Sequence, residues 1–327
     1  MKILVTGGTG FTGSHLVKRL LERGHQVLVL DKEAGLFFPE LTRLGAQIQI
    51  GDILDKDLVT RLATGCQVVF HLAAAFRQIN LLKKIYWQIN VEGTRNLAET
   101  CLSAGVERFI YCSTEGVHGC VPNPPADETA PIAPKDYYQY TKYEGEKAVA
   151  EVAACGLKTV VLRPTAIYGP GDPGRFLMLF KMAKKGFFPM FGSGKITYHP
   201  VYIDNFCDVF ELAMTRPEAV GQTYIVADEK YYSLNEIVSS VARALGKKVR
   251  IIHLPFLPLL WASYLCEWLC FPLGITPVIF VRRADWYREN RGFSSDKAKN
   301  ELGYRPRIGL DEGLRLTAKW YQENGYL

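Results

Sequence analysis

Short runs of β-branched and apolar residues alternate with stretches of helical period through the first half of the chain. KILVT at 2–6 is followed by a helical pattern from Thr12 to Arg23, then by QVLVL, AQIQI and QVVFHLA. A second long helical pattern runs from Leu81 to Ser103, before RFIYCS and KTVVLR. Alternation of this kind predicts βαβ units and a parallel, doubly wound sheet in an α/β protein. Beyond about residue 165 the pattern loosens into Gly/Pro-punctuated loops, helical stretches near 175–186, 205–214 and 233–245, and an amphipathic helix from about 310. The β-rich run QTYIVA, bounded by Gly221 and Asp228, predicts a return to the sheet near 222–227. The expected organisation is therefore a sheet domain over 1–165 and a smaller, interleaved substrate-binding portion over 166–327.

The first strand ends in Gly7-Gly8-Thr9-Gly10-Phe11-Thr12-Gly13, which opens a helix, and Asp31 ends the next strand. Glycines in a strand-turn-helix unit let backbone approach a pyrophosphate, which meets the positive end of the helix dipole. The acid is placed to accept hydrogen bonds from an adenosine ribose and to repel a 2′-phosphate, although the adjacent Lys32 offsets part of that repulsion. NAD is the expected cofactor, in preference to NADP. The structural alternative is a Gly-rich turn in an unrelated α/β fold.

Composition narrows the class. The chain has 327 residues, with 48% hydrophobic and 22% charged, so it has ample material for a large core and is not disordered throughout. The net charge of +6 is spread without a basic arm or stripe, which argues against a nucleic-acid partner. Eight cysteines without a C-x-x-C pair read as reduced thiols. The N-terminus runs straight into a strand and shows no signal-peptide pattern. These features predict a cytoplasmic protein, either free or peripheral to a membrane. The one unusual stretch is 251–281, which is apolar but interrupted by prolines and by Glu267. It is a poor spanning helix; it could pack in a core, form a dimer surface, line a greasy pocket or touch a membrane interface.

Two Tyr-x-x-x-Lys pairs compete for a chemical role, Tyr138 with Lys142 and Tyr143 with Lys147. Each would put an ammonium beside a phenol on one helix face, and a nearby positive charge favours proton transfer by a group whose ordinary pKa is about 10. Residues five apart diverge by about 140° on a helix, so the two tyrosines cannot serve one site. The six histidines form no ligand-spaced cluster and no G-x-S-x-G elbow occurs, so metal and hydrolase chemistry lack residues. Cys266 and Cys270 share a helix face but read as apolar packing.

Further stretches extend over nearly the whole chain: GDILD at 51–55, HLAA at 71–74, NVEGT at 90–94, STEGVHG at 113–119, YQYTKYEGE at 138–146, LRPTAIYGPGD at 162–172, HPVYIDN at 199–205 and SDKAKNELGYRP at 295–306. With the three glycines they resemble the extended short-chain dehydrogenase/reductase superfamily, which includes NAD-dependent sugar epimerases and dehydratases and 3β-hydroxysteroid dehydrogenases. The resemblance implies a Rossmann fold and a catalytic set of Tyr138, Lys142 and Thr114, with Ser113 the nearest alternative to Thr114. It implies cofactor contacts from Gly7, Gly10, Phe11, Thr12, Gly13, Asp31, Lys32, Asp52, Ile53, Leu72, Ala73, Ala74, Asn90, Ser113, Tyr138, Lys142 and Pro164. Read on their own, Asp52 can be a turn acid, His71 a satisfied strand-end histidine and Asn90 a helix residue bonded to backbone. A homodimer through the helices near 81–104 and 137–155 is also implied.

Two outcomes for the hydride follow. In a nucleotide-sugar 4-epimerase, the favoured reading by a small margin, a substrate alcohol is oxidised, the ketone turns over, and hydride returns to its other face. Arg282 and Lys195 would then hold the diphosphate, although Lys lacks the bidentate fork of Arg. In the alternative, a dehydrogenase of a lipophilic alcohol or ketone, hydride leaves with the cofactor, and HPVYIDN and the 251–281 stretch resemble that branch. Glu115 stands next to Thr114 where dehydratases carry the first of two acids, but Gly116 replaces the second, so a solvated or capping Glu115 is expected, with a tentative substrate contact. A non-catalytic dinucleotide sensor would need no aligned Thr, Tyr and Lys.

Overall fold

The computed structural model describes residues 1–76 and 81–327. Seven parallel strands form the central sheet: β1 (Lys2–Thr6), β2 (Gln26–Asp31), β3 (Gln47–Ile50), β4 (Val68–His71), β5 (Arg108–Cys112), β6 (Thr159–Pro164) and β7 (Thr223–Val226). Their order is β7-β6-β5-β4-β1-β2-β3, the doubly wound arrangement. The order reverses between β1 and β4, which pair from Ile3↔Val68 to Thr6↔His71, so their carboxyl ends open a crevice at residues 7 and 72. Central strands are buried on both faces, as in VVFH of β4, which explains why they read as continuous apolar runs rather than alternating ones.

Apolar residues alternate between two cores along β1: Ile3 and Val5 pack on one face, Leu4 on the other. The first core takes in α1 (Phe11–Glu22), while the second takes in α2 (Thr94–Ser103) and one face of α3 (Tyr137–Ala154). The helical pattern from Leu81 to Ser103 is realised as Lys83–Trp87, a π-helical turn Gln88–Gly93, and then α2. Helix α4 (Ile203–Thr215), from the second half of the chain, lies against α1, where the Arg19 guanidinium bridges Asp208 and Asp204. The C-terminal helix α6 (Leu310–Glu323) joins the same side through Trp320, whose ring meets Phe37.

Of the alternatives open for the 251–281 stretch, packing in a core does not hold for its helix. The stretch forms the strand Arg250–Leu254, paired with Phe187–Phe191, and then α5 (Phe256–Cys270). Within α5 only Ser263 is fully buried. Among the described residues no helix is long and apolar enough to cross a membrane.

Candidate active site

The crevice between β1 and β4 is built by backbone that tolerates no side chains. Gly7 has φ +71°, and a Cβ there would stand 2.7 Å from the Ala73 nitrogen. A Cβ on Gly13 would stand 2.2 Å from the Gly7 carbonyl oxygen, so glycine lets α1 start directly against the turn. Gly10 is the N-cap of α1 with no side-chain cap and no acid in the first turn, leaving the amides of Phe11 and Thr12 at the helix's positive end without a competing carboxylate. On the facing side Leu72 donates its N–H to the Thr6 carbonyl and Ala73 to the Thr6 hydroxyl, which brings residues 72–74 alongside. These features fit a dinucleotide pyrophosphate.

Asp31 has a structural duty that the motif did not predict. One carboxylate oxygen accepts the Thr9 amide at 2.9 Å and its hydroxyl at 2.7 Å, and the other accepts the Lys32 amide at 2.8 Å. Two oxygens offer about four acceptor positions, so one is left for a ribose hydroxyl. The Lys32 ammonium lies 3.7 Å from Asp52, whose other oxygen accepts the Leu54 amide as a turn acid. The Ile53 side chain is in the core, so only its backbone can face a cofactor. Because Asn can accept the Thr9 bonds without the charge and gives up only the exposed bond from the Lys32 amide, Asp31→Asn is expected to keep the fold while raising NADP affinity relative to NAD about tenfold. Titration of both nucleotides checks this, and an unchanged ratio refutes the discriminating role of the charge.

Tyr138 sits in the first turn of α3, whose Asp136 N-cap and Gln139 form a capping box. Asn90 holds that helix in place: its oxygen accepts the Ala75 amide and its NH₂ donates to the Ala75 carbonyl and the Thr141 hydroxyl. A Cβ on Gly145 would stand 2.4 Å from the Tyr111 hydroxyl, so glycine allows α3 to lie close on β5. The Phe76 ring lies tilted against Tyr138 with ring centroids 4.8 Å apart, and the Arg282 guanidinium lies 5.8 Å from the Tyr138 ring while pairing with Asp136 at 2.8 Å. Burial pushes the Tyr138 phenol well above its ordinary pKa; Cys112 adds to this and Arg282 opposes it. The phenol is therefore neutral in the free protein. Lys142 is fully buried with its ammonium 4.1 Å from the Tyr111 ring centroid, rather than paired with the Tyr138 hydroxyl, and burial lowers its pKa from 10.5 to about 8. The competing pair faces outward, with Lys147 exposed over the Tyr143 ring.

Ser113 and Thr114 separate cleanly. The Ser113 hydroxyl donates to Glu146 at 2.5 Å, and Glu146 also takes a bidentate pair from Arg163, itself touching His118. Ser113 is thus tied into a buried network beneath Pro164. Thr114 is half-buried and caps the turn Glu115–His118 by accepting the Gly116 amide. Of the two readings of Glu115, solvated or capping, the solvated one does not hold. Glu115 is only 8% exposed and accepts the Thr114 hydroxyl at 2.9 Å. Burial raises its pKa, against the pull of Arg291, the Thr114 hydroxyl and Arg175, two charges and a hydrogen bond that make the buried position tolerable. His71 is wholly buried between Thr6 and Thr94, and burial and Lys142 lower its pKa, so it is a neutral structural histidine. Lys195 is exposed and its ammonium makes no ion pair or hydrogen bond among the described residues, while Arg282, the other cation expected for a diphosphate, pairs with Asp136. Sequence reasoning missed Phe76, Arg175 and Arg291; none lies in a motif, and only the fold brings them here.

The fold and crevice define a dinucleotide-dependent enzyme of the Rossmann type. The chain belongs to the NAD dependent epimerase/dehydratase family, whose model matches residues 3–227. It is 32% identical over 346 aligned positions, covering 96% of this chain and 78% of the relative, to 3beta-hydroxysteroid-dehydrogenase/decarboxylase isoform 1 of Arabidopsis thaliana. It is 31% identical, over 96% of this chain and 98% of the relative, to the 2-alkyl-3-oxoalkanoate reductase of Stenotrophomonas maltophilia. The solved structure of UDP-glucuronic acid 4-epimerase from Bacillus cereus, in complex with UDP-glucuronic acid and NAD, superposes with a TM-score of 0.80 at 25% identity, covering 99% of this chain and all of the other. The superfamily resemblance, the Rossmann fold and NAD are borne out, and both the epimerase and the dehydrogenase branches are represented among these proteins.

Proposed function

We propose that the chain is an NAD-dependent dehydrogenase or reductase acting on a secondary alcohol or ketone of a lipophilic molecule, with hydride leaving on the cofactor. The observation that carries this reading is the setting of Tyr138: an aromatic ring, Phe76, beside it, and the Arg282 guanidinium near its ring committed to Asp136. The two relatives at 31–32% identity are named for a 3-oxygen function on a steroid or an alkanoate, which supports the same class. A 4-epimerase is the second reading, favoured by the structural superposition. In either, NAD supplies a hydride acceptor and donor when bound. Gly7, Gly10, Phe11, Thr12 and Gly13 hold its pyrophosphate, with Asp31, the 52–53 and 72–74 backbone and Pro164 along its length. Thr114 holds the substrate oxygen beside Tyr138, its hydroxyl turning from the Glu115 carboxylate to do so. In the reducing direction the neutral Tyr138 phenol gives its proton to the carbonyl oxygen as carbon receives hydride, and the phenolate left behind is reprotonated from solvent; the oxidising direction starts from that phenolate, which takes the alcohol proton.

The protein purified without added nucleotide should carry little cofactor after heat release, and should form net NADH from a lipophilic secondary alcohol. Near-stoichiometric retained NAD, with turnover of a nucleotide sugar and no net NADH, would move the assignment to the epimerase. The same reading includes a homodimer through the helices near 81–104 and 137–155. The aromatic cluster of Trp87, Tyr137 and Tyr140 on their outer side supports it, with twice 36.8 kDa in light scattering as its readout. It also includes peripheral membrane contact through 251–281.

A further inference from the structure

The outward side of α5 is apolar along its whole length. Leu257, Trp261, Tyr264, Leu265 and Trp268, spaced on one helical face, are all exposed, the two tryptophans at 71% and 72%. The surface continues beyond the helix through Leu273 and Val278, exposed at 72% and 76%, and across the strand pair through Phe187, Ile252 and Leu254. The one carboxylate in the stretch, Glu267, is turned inward to accept the Val281 amide at 3.0 Å. A contiguous apolar surface of this extent marks an interaction face.

Charge identifies what the face meets. From Pro173 to Ile203 the chain carries five Lys or Arg and no acid, and from Leu245 to Arg283 five against Glu267 alone. The whole chain has 39 against 33, so the remainder carries 29 against 32, and the positive surplus resides in the two segments that build this face. Arg175 and Arg282 point into the molecule, at Tyr198 and Asp136. Lys181, Lys184, Lys185, Lys247, Lys248 and Arg250 are exposed at the rim of the strand pair, where the Lys247 ammonium donates to the Lys184 carbonyl. Amphipathic indoles on one part of an apolar face and lysines at the start of its strand pair suit a headgroup boundary, where rings enter the acyl edge and ammonium groups meet phosphate.

We propose that this face docks selectively on anionic phospholipid bilayers, with Trp261 and Trp268 as insertion anchors and the 181–185 and 247–250 cations on the headgroups. The inference rests on the peripheral-contact reading and adds the lipid charge class and the anchoring residues. The short helix Val281–Ala284 that ends the apolar stretch carries Arg282 onto the Tyr138 ring, so docking sets the candidate site beside the bilayer, suited to a substrate dissolved in it.

The test is flotation of the full chain with phosphatidylcholine vesicles, with and without phosphatidylglycerol. Binding is expected only with phosphatidylglycerol, accompanied by a blue shift of tryptophan fluorescence, and high salt should release the protein. Trp261→Ser/Trp268→Ser should abolish the fluorescence shift. Lys247→Ala/Lys248→Ala should weaken binding about 10- to 30-fold, at roughly fivefold per cation near an anionic surface. Both pairs are exposed, and unchanged circular dichroism confirms that the variants fold. Equal binding to both vesicle types overturns the charge selectivity but leaves peripheral contact standing. Binding to neither overturns both; a dimer that Trp261→Ser/Trp268→Ser dissociates in light scattering would then make a second copy of the chain the occupant.

Discussion

Tyr138→Phe lowers kcat about 10³-fold while NAD affinity and thermal stability stay near those of the parent protein. Positioned proton transfer contributes about 10²- to 10⁴-fold, and the phenol is the proton donor that faces the candidate reaction space in this reading. Its burial, which raises the phenol's pKa, keeps a proton on it near neutrality, as protonation of a carbonyl requires. Among the described residues no hydrogen bond ties that hydroxyl to the protein, so its removal costs the fold little. The ring keeps its contacts with Phe76 and Arg282. Steady-state kinetics and nucleotide titration on the same preparation separate the two effects. Tyr143→Phe, on the outward side of α3, is the control and should leave turnover within about twofold. A fully active Tyr138→Phe would remove Tyr138 from the chemistry.

What was legible in the sequence follows from how local each signal is. β1, β2 and the glycine turn emerge at their observed places because a buried parallel strand and a φ-positive glycine leave one-dimensional marks: an unbroken apolar run, and residues without side chains where backbone must touch backbone. Around Tyr138 the stretch 138–146 has duties that the structure makes visible: Thr141 bonds Asn90, Gly145 admits Tyr111, and Glu146 binds Ser113 and Arg163, which supports the proposed role of Tyr138 over Tyr143. The burial of Glu115 was not legible, and of the two readings offered only the capping one is compatible with it, because its surroundings include Arg291 and Arg175, which are distant in sequence and lie outside any motif. The role of 251–281 was illegible for a different reason. An apolar helix has the same sequence whether protein or lipid covers it, and only the surrounding charge and exposure tell the two apart.

Lys142→Met is expected to do two opposite things, to raise the stability of the cofactor-free protein by roughly 2 kcal/mol and to lower kcat by about 10²- to 10³-fold. Burial lowers the folded pKa of Lys142 to about 8 from an ordinary 10.5. Between those values the unfolded chain binds more protons than the folded one, so this group makes stability rise with pH through that window. Below the folded pKa the full penalty of burying the ammonium is present. A shift of about 2.5 units corresponds to roughly 3 kcal/mol, and Met forfeits the attraction of the ammonium to the Tyr111 ring, which reduces the gain. Methionine fills the space of the stem without a charge. Denaturant titrations between pH 7 and pH 10.5 should therefore show a smaller rise of stability with pH in the variant. A variant that is less stable at pH 7, with an unchanged slope, would mean that the ammonium is already compensated by its surroundings. Loss of turnover alongside gained stability would mark Lys142 as a charge kept at a cost to the fold because the chemistry at Tyr138 needs it, whereas turnover retained with the charge gone would leave that cost without a functional reason.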